Sequence, residues 1–412
     1  MLTRRTLLKS LAATGLYSLA PFGLGGFVAQ AATGGRRLVV VLLRGAVDGL
    51  SLVVPYGDAN YYKLRTTIAL QPPGTAGGGL DLDGHFGLHP ALAPLMPLWQ
   101  AGQLGFVLNS GSTDETRSHF DAQQYMESGT PGIKSTNDGW LNRLLGQLPG
   151  TDPTRAISFD VPTPAILGGR LPTAGLPLGE NWLEPDDALS DPYRSVFDAL
   201  YGADDPLSLA FQDAVNTKTA LQTQLAAHAD EITKTSGTGA TGVDAFALQG
   251  KLVGNVLAES AQNTLAFMSF TGWDTHVNQG NDQGTLAKLL SSLGTGLANL
   301  ATGLGAAWGS TVVVVMSEFG RTARENGNRG TDHGHGNVMW LLGGPVSGGQ
   351  FHGDWLGLDE SSLHEDRDLP VSTDFRAVLS SVLTDHLGMD PSALGQVFPG
   401  FHGSMPGTIR SG

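Results

Sequence analysis

The chain has 412 residues, 41% of them hydrophobic and 58 of them glycine, so it can bury a core, is rich in turns, and is long enough for one large α/β domain or for two or three smaller ones. Its 24 basic and 38 acidic side chains give a formal charge of −14 with no basic stripe, which excludes a nucleic-acid footprint. With no cysteine it has no disulfide, thiolate zinc site or cysteine nucleophile, so any metal must be held by His, Asp and Glu.

Residues 1–31 read as an export leader. Thr3-Arg4-Arg5-Thr6-Leu7-Leu8-Lys9 fits a twin-arginine signal, Leu11 to Val28 is apolar, and Ala29-Gln30-Ala31 fits a small-x-small cleavage site. Pro21 and four glycines interrupt the apolar run, so a cleaved signal is expected rather than an anchor, with no stable membrane span after cleavage. The twin-arginine machinery is then a partner, and the destination is the periplasm or the exterior. That route carries folded proteins, which suits an enzyme that loads its metal in the cytoplasm.

Arg37 to Arg44 is a first buried strand, and Asp48 lies just past its carboxyl end among small residues. Asp48 is a turn aspartate or a ligand. Gln71-Pro72-Pro73-Gly74 and Gly77-Gly78-Gly79 mark a loop, and Leu92 to Trp99 reads as a short helix despite Pro94 and Pro97. Leu104 to Leu108 is a short strand. Arg117-Ser118-His119-Phe120-Asp121-Ala122-Gln123 then opens a helix through Glu127, with Ser118 placed either as its N-cap or as a nucleophile and ligand. Gly139 to Leu145 continues helical. The Pro- and Gly-rich stretch 151–204, with short strands such as Ala156 to Phe159, reads as an insertion or cap over the sheet.

Leu207 to Lys234 is expected to be helical, 236–242 a loop, and Phe246 to Ser260 another helix. Thr264 to Phe270 is a buried strand that ends in Thr271-Gly272-Trp273-Asp274-Thr275-His276. Alternate residues share a face, so Asp274 and His276 point the same way. The amphipathic stretch Leu286 to Trp308 returns to a strand at Thr311, a parallel crossover unit. Thr311 to Val315 is β-branched and fully buried, with Ser317, Glu318 and Arg321 where it ends. Asp332-His333-Gly334-His335 follows, then the apolar run Val338 to Leu342. Ser372 to Leu387 is the last helix, with Thr373 or Asp374 near its start.

Asp48, Ser118, Asp274, His276, Glu318, Asp332, His333 and His335 thus all follow strand ends, where an open α/β sheet places its chemistry. Eight oxygen and nitrogen donors suffice for two metals with an open position on each. An acidic surface repels polyanions, so a phosphate or sulfate ester would need such a local positive centre. His85, His89, His352, His364, His386 and His402 read as surface or core histidines.

The motifs Leu42-Leu43-Arg44-Gly45 to Asp48-Gly49-Leu50, Arg117 to Gln123, Gly272 to His276, Ser317-Glu318-Phe319-Gly320-Arg321-Thr322 and Thr331 to Gly336 together resemble an exported bacterial family, domain of unknown function 1501. That family looks like a branch of the alkaline phosphatase and sulfatase superfamily. The resemblance implies a doubly wound α/β/α sandwich, alkaline phosphatase-like, with a mostly parallel central sheet and a metal-ester site at the strand ends. Residue by residue, Asp48 matches the aspartate that binds one metal, and Ser118 the helix-opening nucleophile. Asp274 and His276 match ligands of the other metal. Glu318 falls where Asp-His usually stands, with Phe319 in place of the histidine. His333 or His335 would supply the late histidine, and Asp332 could offset the loss. Arg117 and Arg321 could hold an anionic group bidentately.

The function expected is an exported metal-dependent hydrolase of phosphate or sulfate esters, acting on a small-molecule or glycan ester with one or two divalent ions (zinc, manganese or calcium). A non-catalytic protein on the same scaffold, binding a glycan or cell-envelope polymer, is a different class of expectation. A phosphotransferase or mutase is a third.

Overall fold

The run Arg37–Arg44 forms β1, in which every residue but the last is buried. Its side chains leave alternately on two faces, and both are covered. Val39, Val41 and Leu43 enter one apolar cluster, and Leu38, Val40 and Leu42 enter another. That is why the strand reads as an unbroken apolar run rather than an alternating one. The structure is a computed structural model that describes residues 35–160, 162–176, 243–410 and scattered positions between 196 and 219. The leader expected over 1–31, most of the helix expected over 207–234 and the loop expected over 236–242 lie outside the described residues.

The short strands β2 (Val53–Val54), β3 (Leu80–Asp81) and β4 (Gly87–Leu88) pair antiparallel in a small sheet of their own. The others are β5 (Leu104–Gly111), β6 (Ala156–Ser158), β7 (Ala174–Gly175), β8 (Leu265–Thr271), β9 (Thr311–Ser317), β10 (Asn337–Leu342), β11 (Phe351–His352) and β12 (Thr373–Asp374). With β1 they build one nine-stranded sheet in the order β11-β5-β10-β9-β1-β8-β6-β7, with β12 also on β5. Only β10 runs against its neighbours, β5 and β9, and every other pairing is parallel.

One face is covered by the helices Val243–Glu259 and Thr285–Leu304, through Val253, Val256, Leu290 and Leu293 among others. The other is covered by Trp140–Leu145, Phe375–Ser381 and Leu394–Val397, through Trp140, Phe375 and Val378. The result is an α/β/α sandwich with a mostly parallel central sheet.

Several elements differ from expectation for local reasons. Leu92 to Trp99 is split into a 3-10 turn, Pro90–Leu95, and a short α-helix, Met96–Gln100, because Pro94 and Pro97 remove donors that a continuous helix needs. The crossover helix ends at Leu304, where Gly305 turns to φ 52°, and a 3-10 turn covers the remainder to Ser310. Thr373 and Asp374 pair with β5 before the last helix begins, and the Asp374 carboxylate caps that helix by accepting from Arg376 N. Within the stretch expected to be an insertion or cap, β6 and β7 extend the edge of the main sheet, and 177–195 lies outside the described residues.

The topology fixes where chemistry can sit. Arg44 pairs with Thr271 and Leu43 with Ser317, so the carboxyl ends of β1, β8 and β9 share one rim. β5 runs the same way as β9, since both oppose β10, and it ends at that rim too. The segment entering β10 starts there. Residues 45–48, 112–119, 272–279, 318–322 and 331–336 are therefore neighbours.

Candidate metal centre

These loops are packed tightly enough to require particular residues. Gly45 holds φ 116°, and a Cβ there would stand 2.8 Å from Asp274 N. A Cβ on Gly320 would overlap the carbonyl of Gly336. Both positions admit only glycine, and both bring ligand-bearing loops into direct backbone contact.

Arg321 ties the loops together. Its side chain is fully buried and donates to the carbonyls of Ala46 (2.6 Å), Gly45 (2.7 Å), Thr331 (3.0 Å) and Trp273 (3.1 Å). It also donates to Asp274 Oδ1 at 2.5 Å. Burial opposes the charge of Asp274, but the Arg321 hydrogen bond and charge hold its carboxyl below the usual range.

Three imidazoles surround Asp274, and each is gripped from behind through Nδ1. His119 Nδ1 lies 2.8 Å from Glu318 Oε1. His276 Nδ1 lies 3.0 Å from Asp332 Oδ1. His333 Nδ1 lies 2.8 Å from the carbonyl of Arg117. Ionised carboxylates and carbonyls only accept, so each Nδ1 carries a proton, and a ring that holds only that proton turns the lone pair of Nε2 inward. The two carboxylates are ionised. Burial opposes the charge of Glu318, yet hydrogen bonds from His119, Gln123 and Gly45 N hold it low, and a hydrogen bond from Asn326 lowers Asp332. The bond to Glu318 raises the pKa of His119, whereas burial lowers that of His333.

The Nε2 atoms converge. That of His333 stands 3.0 Å from that of His119 and 3.0 Å from that of His276. Asp274 Oδ1 lies 2.9 Å from His276 Nε2, 3.2 Å from His333 Nε2 and 3.5 Å from His119 Nε2. Ligand atoms of His119, Asp274 and His333 all lie within 4.8 Å of one another. Lone pairs that face each other at such distances repel unless a proton or cation lies between them. Ligands at about 2.0–2.1 Å in a tetrahedral zinc site stand about 3.3 Å apart, so the observed spacings fit the edges of a coordination shell. Carboxylate and carbonyl acceptors behind ligating imidazoles are the usual support of such a shell. The donor set fits a divalent ion.

A family model described as "Protein of unknown function (DUF1501)" matches residues 35–397. The chain belongs to the DUF1501 family. No curated protein matches it. Among solved structures it is similar to the phosphonate monoester hydrolase of Silicibacter pomeroyi, at 11% identity and TM-score 0.36, covering 91% of this chain and 78% of that one. It is similar to the alkaline phosphatase of the Antarctic bacterium TAB5, at 13% and 0.34, covering 78% and 95%. It is also similar to the lipoteichoic acid synthase LtaP of Listeria monocytogenes, at 12% and 0.32, covering 78% and 69%. Similarity this low transfers no residue role and no activity.

In this DUF1501 chain the expected residues fall into three groups. Asp274, His276 and His333 are brought together. Glu318 and Asp332, expected as ligands, instead hold His119 and His276 from behind. Asp48 and His335 are engaged elsewhere. The Asp48 carboxylate is buried and takes Arg65 at 2.6 and 2.8 Å, the Ser51 hydroxyl at 2.6 Å and the Gln279 amide at 2.7 Å. Its oxygens are so occupied in an internal ion pair. His335 is buried with its ring 4.6 Å from that of His364, and burial lowers its pKa.

The two arginines expected to hold an anionic group have other partners. Arg321 is the loop clamp already described, and Arg117 is bound by Glu365 at 2.6 Å and Asp368 at 2.7 Å. Ser118 is exposed, and its hydroxyl caps the helix His119–Ser128 through a long 3.5 Å contact from Asp121 N. Phe319, buried, stacks on His119 with ring centres 4.9 Å apart.

Sequence reasoning passed over His119, although it sits in the same motif as Arg117 and Ser118. The signal was a histidine at the first position of a helix that follows a strand end. Arg65 and Gln279, the partners of Asp48, carry no motif, and only the fold brings them to it.

Proposed function

We propose that this protein is an exported metal-dependent hydrolase of phosphate or sulfate esters. The observation that carries this reading is the convergence of the Nε2 atoms of His119, His276 and His333 on Asp274, each ring locked through Nδ1. These four residues would hold the ion. The imidazole-rich set suits zinc, or manganese, better than calcium, which prefers oxygen ligands. When bound, a divalent ion supplies Lewis-acid stabilisation of ester oxygens and lowers the pKa of a nearby hydroxyl or water.

The chain's own residues supply the rest. Glu318, Asp332 and the Arg117 carbonyl set the tautomers, and Arg321 fixes Asp274. The Ser118 hydroxyl, exposed at the start of a helix beside His119, is the nucleophile in this reading. Its oxygen bonds to phosphorus or sulfur as the bond to the alcohol oxygen breaks; its proton passes to solvent, and the leaving alkoxide takes one from solvent to depart as the alcohol. Water would then release the acid. The twin-arginine motif supports the exported location, and among the described residues no helix is long and apolar enough to cross a membrane.

A non-catalytic glycan- or envelope-binding role draws support from Phe319, whose ring covers one side of His119, and from the engagement of Arg117 and Arg321 with other partners. Hydrolysis of p-nitrophenyl phosphate and p-nitrophenyl sulfate, before and after chelation, separates the readings. Turnover that is lost on stripping and restored by zinc or manganese supports the hydrolase. Turnover that survives stripping, or a metal-loaded protein inert on both esters, contradicts it.

A further inference from the structure

A tight turn lies against the back of His333. His364 and Asp368 close it by a β-bridge, and Glu365 and Asp366 both hold left-handed backbone, at φ 53° and 55°. That conformation is unfavourable for an L side chain and persists where the surroundings demand it.

The turn holds the His333 segment at three points. Arg367 donates to the carbonyl of His333 at 2.9 Å. The Leu369 carbonyl accepts from Gly336 N at 2.7 Å. Asp368 and Glu365 bind the guanidinium of Arg117, whose carbonyl accepts from His333 Nδ1. Asp368 is completely buried, yet its Oδ1 receives no hydrogen bond, and Arg367 Nε stands 3.7 Å away. A buried carboxylate is costly unless it is paired, and the partner of Asp368 within hydrogen-bond reach is Arg117, at 2.7 Å.

We propose that Asp368 is a positioning residue of the centre. Through Arg117 it fixes the carbonyl that keeps His333 in its Nδ1–H tautomer and aims Nε2 at Asp274. Asp368 does not touch the ion itself. The inference rests on the metal-centre reading, and two readouts separate the failure of one from the failure of the other.

The first readout is nitrogen NMR of the imidazoles in the metal-free protein at neutral to mildly alkaline pH. Wild type should show His333 as a single Nδ1–H tautomer, and Asp368→Asn should show a mixture of both. The second is zinc affinity by competition with a chromophoric chelator. Asp368→Asn should bind about 10–100-fold more weakly than wild type, and Asp368→Glu should recover part of the loss. Glu365→Gln alters the exposed partner of the same arginine and should give a smaller loss in the same direction. It serves in place of Asp368→Asn should that variant not fold. An unchanged tautomer together with unchanged zinc affinity overturns the proposal. A wild type that binds no metal, with the tautomer shift intact, overturns the metal reading and leaves the positioning role of Asp368 standing.

Discussion

His119 and His333 face each other through their Nε2 atoms across 3.0 Å, while their opposite nitrogens are held by the Glu318 carboxylate and the Arg117 carbonyl. Neither ring can turn without losing a partly buried hydrogen bond. Each is therefore kept with its lone pair toward the other, an arrangement that a shared cation turns from repulsive to favourable. The carboxylate and carbonyl behind the rings, more than the rings themselves, set this orientation.

Glu318 is the first test of that statement. Glu318→Gln keeps the size and one acceptor but removes the charge behind His119. Zinc affinity should fall by about 10–100-fold, as for other partners of ligating imidazoles. Titration of wild type and variant with zinc checks this, and equal affinities would mean that His119 is not held by Glu318 in any way that matters.

Asp48 distinguishes an internal ion pair from a ligand. Asp48→Asn leaves Arg65 buried without its counter-charge and should destabilise the fold by about 3–5 kcal/mol, while the folded fraction keeps its metal. Burial opposes the charge of Asp48, but Arg65, Ser51 and Gln279 hold its carboxyl below the ordinary range. The unfolded chain therefore takes up the proton first as pH falls. The stabilisation is complete above about pH 4 and is lost as pH drops through the lower folded value. Denaturant midpoints from pH 7 to pH 3 should fall more steeply below pH 4 in wild type than in Asp48→Asn.

His386 gives a second, higher window. It is buried with Nε2 2.9 Å from the carbonyl of Arg37, and burial lowers its pKa from 6.5 to about 4. Between those values the unfolded chain binds the extra proton and the folded chain does not, so stability falls as pH falls. The loss should total roughly 3 kcal/mol between pH 6.5 and pH 4. His386→Gln should flatten that part of the curve, and a wild-type profile already flat there would count against a neutral buried imidazole.

The two roles of Ser118 also separate. Its capping contact is long at 3.5 Å, so Ser118→Ala should cost only about 0.5 kcal/mol, the low end for a lost N-cap. Ester turnover should fall by orders of magnitude with metal content intact. Turnover near wild type would pass the nucleophile's role to water.

The layered architecture was legible because β1 and β9 are buried on both faces and so carry unbroken apolar runs, and β8 nearly does. The rim was legible too, since Asp274, His276 and His333 stand directly after strands or before one. What the sequence did not show was which donors face inward. Glu318 and Asp332 have the chemistry of ligands and serve as supports. That division depends on which ring nitrogen each one meets, a property of loop packing around Gly45, Gly320 and Arg321. The partners of Asp48 were hidden for a related reason. A carboxylate after a first strand looks free until Arg65, held beside it by the fold and unmarked by any motif, is seen to fill its oxygens. The proline-broken segment 90–100 and the shortened crossover helix reflect backbone restrictions that periodicity alone overlooks.

The most direct test is the metal content of the purified chain by elemental mass spectrometry, after loading with zinc or manganese and removal of excess. The account predicts one divalent ion per wild-type chain and none in the His119→Ala, His333→Ala double variant, both folded by circular dichroism. A wild type that stays metal-free after loading, or a double variant that keeps its ion, would contradict it.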